Sequence, residues 1–165
     1  MLLPIVIVAH VAAAYASVSQ TTNFVCPTSP FSILEDIQVV FVGPTAEELM
    51  FTGFLLTLAR RRFDGFVATA FVAVVFSVMH LPGDLDLFWA RFVFMSASCV
   101  LFIQTDRLWP SILMHVLGNA TLSTMGRTGA MCEVIQLIPV SPFVTSLGFA
   151  LVTTSILAWL AKRKA

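Results

Sequence analysis

Charge is the first thing this sequence lacks. Nine Lys and Arg face nine Asp and Glu, so charged residues make up 11% of 165 and the net charge is zero. An ordinary soluble domain carries about 25%. With no basic excess there is no stripe to bind phosphates, which excludes nucleic acid as a partner. Cysteine is scarce as well. Cys26, Cys99 and Cys132 are too few and too scattered for a disulfide framework or a Cys-type zinc site. We read them as small apolar side chains. No internal repeat and no separate soluble domain stand out, so residues 1–165 read as a single domain.

What is present is apolar. Hydrophobic residues reach 58%, with 15 Phe, 7 Met and 3 Trp, and the mean hydropathy is +0.94. A soluble globule of this size leaves roughly a third of its unfolded surface wet, too much to hide such a composition. The predicted fold class is therefore all-α, a multi-pass transmembrane bundle of five to seven helices around a polar intramembrane cavity. The lipid bilayer is its implied partner.

A span needs about 20 mostly apolar residues. Leu2 to Val18 is read as a membrane helix, not a signal peptide, because no basic residue precedes it. Residues 19–30 form a polar loop. Phe31 to Val42 carries Glu35 and Asp36 and is placed at the interface. Gly43-Pro44 is expected to break that segment, with Pro44 in the first turn of a new helix. That helix runs to Arg60-Arg61-Arg62. Phe66–Leu81, Phe88–Gln104 and Leu108–Thr124 follow as further spans, and a short loop with Arg127 and Glu133 leads to the last hydrophobic stretch. If these spans alternate, one side collects Arg60, Arg61, Arg62, Arg107, Lys162, Arg163 and Lys164. The other receives only Arg127 among basic residues. That is the bias of the positive-inside rule.

The informative residues are polar groups inside apolar runs. An ionised side chain at the bilayer centre costs about 2.5–3.5 kcal/mol on insertion scales, so such residues are functional candidates by default. Glu47, Glu48, His80, His115 and Asn119 qualify. At 1.5 Å per residue, Glu47 lies about 20 Å from Arg60 and His80 about 25 Å from Phe63. His115 and Asn119 lie about 12 and 18 Å from Arg107. All fall in one layer, in the half away from the basic loops. His115 and Asn119 sit one turn apart on one face, and Phe76 underlies His80 in the same way. Glu47 and Glu48 point about 100° apart, so one is expected to face the cavity and the other a neighbouring helix or a cation. Thr69, Ala73 and Ser77 form a small-residue ridge suited to close helix packing.

These residues resemble the motifs of the CAAX-protease and bacteriocin-processing (CPBP, ABI-type) family of intramembrane proteases. Glu47-Glu48-Leu49-Met50-Phe51-Thr52 is similar to its EExxxR motif, with Thr52 at the arginine position. Phe76 to His80 resembles FxxxH, and His115 to Asn119 resembles HxxxN. The likeness spans residues 42–124, the motif-bearing core. Other intramembrane protease signatures (HExxH, Gly-x-Ser-x-Gly, Gly-x-Gly-Asp) are absent.

The resemblance implies an endopeptidase that hydrolyses a peptide bond in a prenylated (CAAX-type) or hydrophobic peptide. Glu47, helped by His80, would activate water, and His115 with Asn119 would donate to the oxyanion. Glu48 completes the catalytic set, and Arg91 is a possible stand-in for the missing arginine. No cofactor is required by this reading. The competing version holds a divalent metal such as zinc on Glu47, His80 and His115. From another class, Thr52 suggests a catalytically inactive relative acting as a scaffold or peptide-binding protein. A proton-coupled transporter using Glu47, Glu48 and His80 is the third reading.

Overall fold

The computed structural model describes residues 33–80 and 85–128. The expected span at residues 2–18, the loop at 19–30 and the C-terminal stretch beyond 128 lie outside them. The described residues form four helices and contain no strand: α1 (Ile33–Ala59), α2 (Gly65–Met79), α3 (Leu85–Thr105) and α4 (Trp109–Thr128).

Helix α1 corrects the sequence expectation at Gly43-Pro44. The helix does not break there; it continues for 27 residues from Ile33 to Ala59. Two wide, π-helical stretches make this possible, at Gln38–Val42 and Glu48–Leu55. A proline inside an ordinary α-helix loses one hydrogen bond and clashes with the carbonyl four residues back. Here the turn before Pro44 is already loosened, because the Gly43 N–H donates to Gln38, five residues back. A Cβ on residue 43 would stand 3.2 Å from that Gln38 oxygen. The glycine thus leaves room for the wide turn that accommodates Pro44.

The other boundaries follow ordinary capping chemistry. Asp64 starts α2 by accepting the Phe66 and Val67 N–H groups at 2.9 and 3.0 Å. Between α3 and α4 the chain turns at Asp106, which has a φ of 55°. Aspartate tolerates that left-handed conformation better than most residues. Pro110 then sits in the first turn of α4, where its missing N–H costs nothing. Arg127, expected in a loop, is helical, because α4 runs on to Thr128.

Among the described residues, helices α2 and α3 form the most extensive interface. Thr69, Ala73 and Ser77 are buried on α2, so the small-residue ridge does pack inward. The facing run on α3, Ser96-Ala97-Ser98-Cys99, is equally small and buried. Phe51, Leu56, Val72, Phe76, Phe94, Met95 and Met114 fill the core around it. Outside, Val39, Phe41, Leu49, Phe54, Phe66, Val74, Val78 and Leu113 are exposed. The buried Glu48 beside the exposed Leu49 and Met50 inverts the soluble pattern of apolar core and polar surface. By length and composition α1 suffices to cross a membrane, and 65–79 and 91–105 are shorter apolar segments.

The two ends of the bundle differ. Gly65 at the start of α2 lies beside Ile103 near the end of α3, and Gly53 lies beside Leu108. These neighbours bring Arg60, Arg61, Arg62 and Arg107, all exposed, to one end. Glu47, Glu48, His80 and His115 gather in the other half.

Candidate active site

Three helices deliver four of the five predicted site residues to one place. Glu47 and Glu48 come from α1, at the junction with its second wide stretch. His80 follows the last residue of α2, and His115 comes from the middle of α4. The Glu47 carboxylate lies between the two rings. Its Oε1 is 3.5 Å from His80 Nε2 and its Oε2 is 3.7 Å from His115 Nε2. Its side chain is 30% exposed. Glu48 is fully buried. The adjacent acids therefore diverge as their spacing predicts, one toward an accessible surface and the other toward neighbouring helices.

Each imidazole is held by its other nitrogen. His80 Nδ1 lies 2.7 Å from the Phe76 carbonyl oxygen. A carbonyl can only accept, so Nδ1 carries the proton and donates. In the neutral ring, Nε2 then turns its lone pair toward Glu47. The Phe76 ring lies against the imidazole with centroids 4.2 Å apart, the aromatic wall anticipated from their spacing. Phe51 braces Phe76 edge-on at 5.0 Å. Arg91 donates to the His80 carbonyl. It thus fixes the end of α2 and does not take the arginine's place beside Glu48.

His115 Nδ1 is 3.0 Å from Glu48 Oε1. The ring bridges both carboxylates, with Nδ1 on Glu48 and Nε2 facing Glu47. Phe94 packs edge-on against it at 4.4 Å. The remaining Glu48 oxygen is served by hydroxyls. Thr52 Oγ1 donates to Oε2 at 2.7 Å and Ser98 Oγ donates to it at 2.5 Å. An ionised carboxylate buried alone costs several kcal/mol, so a sealed glutamate needs such partners. A hydrogen bond to a charged group contributes about 1.5–3 kcal/mol, and three of them offset that cost.

Asn119 stands one turn beyond His115, and its amide nitrogen donates to the Val39 carbonyl at 2.9 Å. That bond joins α4 to the first wide turn of α1. Nearby, Ser123 donates to Asp36 at 3.1 Å, and Arg127 forms an ion pair with Asp36.

Ser98 and Ser111 escape sequence reasoning. Ser98 touches Glu48, and Ser111 Oγ donates to the Ser98 carbonyl at 3.0 Å, yet neither belongs to a motif. Serine within an apolar helix is too common to signal a role. The zinc version also meets a finding. Among the described residues no group of three His, Cys, Asp or Glu is arranged to hold a metal ion.

Neither a curated protein nor a solved structure matches the chain. The family model described as "Type II CAAX prenyl endopeptidase Rce1-like" matches residues 29–121, more than half of the chain. That match runs from before Glu47 to beyond Asn119 and so includes all three motifs. The chain belongs to the Rce1-like family of type II CAAX prenyl endopeptidases, a membrane-embedded protease family.

Proposed function

We propose that this protein is a multi-pass intramembrane endopeptidase that cleaves a prenylated, CAAX-type or otherwise hydrophobic peptide with water activated by Glu47 and His80. One observation carries the reading. Glu47 is partly exposed between two imidazole Nε2 atoms, while its neighbour Glu48 is sealed beneath them. A general base must reach both water and substrate, and Glu47 can.

In this mechanism a water bridges Glu47 and His80, whose Nε2 is 3.5 Å from the carboxylate. Glu47 takes a proton as the water oxygen bonds to the scissile carbonyl carbon. The oxyanion is met by His115, whose ring lies between the two carboxylates. The second N–H of the Asn119 amide also donates to it. The proton on Glu47 passes to the leaving nitrogen as the C–N bond breaks. Phe76 and Phe94 pack against the two imidazoles, and Phe51 braces Phe76.

The test uses the full chain in lipid nanodiscs with a farnesylated CAAX peptide and an unmodified hydrophobic peptide. Cleavage is expected in the wild type, with loss in Glu47→Gln and in His80→Ala. A chelator arm tests the zinc version, which requires inhibition reversed by added Zn²⁺. Full activity in both variants removes these residues from the chemistry. A second reading, an inactive peptide-binding relative, draws on Thr52 at the arginine position. It requires peptide binding without turnover, unchanged by Glu47→Gln.

A further inference from the structure

We infer that Ser98 and Thr52 act together as a two-hydroxyl clamp that positions Glu48 and, through it, the His115 imidazole. The inference rests on the catalytic reading of the Glu47 site and adds two positioning residues, one of them outside every motif.

Both hydroxyls converge on a single oxygen. Thr52 Oγ1 and Ser98 Oγ stand 2.7 and 2.5 Å from Glu48 Oε2, and 3.5 Å from each other. Glu48, Thr52 and Ser98 are all fully buried, so no solvent competes. Thr52 Oγ1 also has Ser98 Oγ at 3.5 Å and the Met95 sulfur at 3.6 Å within reach, both weaker acceptors than a carboxylate. Each hydroxyl has one proton, and the carboxylate is its strongest partner. With two donors on Oε2, the carboxylate cannot rotate freely, and Oε1 is left to hold His115 Nδ1 at 3.0 Å. That contact aims His115 Nε2 toward Glu47, 3.7 Å away.

The clamp is also anchored. Ser111 on α4 donates to the Ser98 carbonyl, which fixes Ser98 relative to the helix that carries His115. Thr52 lies four residues after Glu48 on α1, and Ser98 comes from α3. Three helices therefore meet at one carboxylate. Two neutral donors from different helices orient it where the motif places one cation. An arginine at residue 52 would have to displace Met95 and Ser98, both within 3.6 Å of Thr52 Oγ1. Thr52 and Ser98 thus form one fitted solution, in which the hydroxyl from α3 supplies the second donor.

The test combines kinetics with the side-chain ¹⁵N spectrum of the histidines in the full chain, in nanodiscs, with His115 assigned by His115→Gln. Thr52→Val keeps the shape and removes the donor; Ser98→Ala removes the other. Each is expected to lower kcat about tenfold and the pair about a hundredfold, with KM within about twofold of wild type. The double variant should lose the hydrogen-bonded His115 Nδ1–H signal, and Thr52→Ser should restore wild-type behaviour.

An unchanged His115 signal in the double variant overturns the clamp, whatever the kinetics. So does wild-type kcat in a double variant when Glu47→Gln is inactive, and that result leaves the protease reading intact. A wild type that cleaves nothing removes the protease reading. The clamp then still stands or falls on the His115 signal and its return in Thr52→Ser. Should the double variant not fold, the single variants decide by the same spectrum.

Discussion

Two of the ties between helices α1 and α4 are built differently. In one, Asp36 pairs with Arg127 and accepts from Ser123, with Arg127 41% and Asp36 26% exposed. In the other, Glu48 is sealed and held by His115, Thr52 and Ser98. The first uses opposite formal charges where solvent screens them. The second uses aligned dipoles where nothing screens. A carboxylate at a surface tolerates loss of its partner because water replaces it. A carboxylate inside depends on its partners for existing there at all.

Three expectations break or sharpen that contrast. The largest concerns rate. Glu47→Gln should lower cleavage by about 10²–10⁴-fold, the ordinary contribution of a general base. Its unfolding free energy should move by less than about 0.5 kcal/mol, since a partly exposed group has little stability to lose. Parallel peptide assays and thermal unfolding in detergent check both, and a large stability loss would place Glu47 with the structural acid instead.

Next comes stability. Glu48→Ala leaves the Thr52 and Ser98 hydroxyls and His115 Nδ1 without their shared acceptor. It should cost about 3 kcal/mol, read from denaturation in mixed micelles. A cost below that of Asp36→Ala would reverse the comparison.

The smallest effect belongs to the exposed pair. A double-mutant cycle with Asp36→Ala and Arg127→Ala should yield a coupling of about 1 kcal/mol or less, falling as salt is raised. A larger, salt-insensitive coupling would mean that this tie is sealed too.

The acids and imidazoles were legible in the sequence because their presence in apolar runs is expensive, and helical rise alone put them in one layer. The pairing of Phe76 with His80 was legible from a spacing of four residues. That Glu47 and Glu48 point in different directions was legible, but not which carboxylate is buried. Arg91 was a possible stand-in for the missing arginine, yet it caps the end of α2 at the His80 carbonyl. The continuity of α1 through Pro44 was hidden as well. Proline's steric rule assumes ordinary helical turns, and a five-residue hydrogen bond from Gly43 removes the clash it describes. Ser98 and Ser111 carried no signal, because small hydroxyl residues in such helices usually serve close packing alone.

By itself, the sequence determined the solvent this chain is suited to, the class of its elements and the chemical types gathered at the site. Apolar composition, helical spacing and the cost of charge in lipid are local or additive properties, and they can be read along the chain. Tertiary structure alone decided which oxygen of which glutamate meets which donor. Hydrogen bonds depend on tenths of an ångström and on helices distant in sequence. Where the motif would set an arginine, packing brought a threonine and a serine from separate helices to the same carboxylate oxygen.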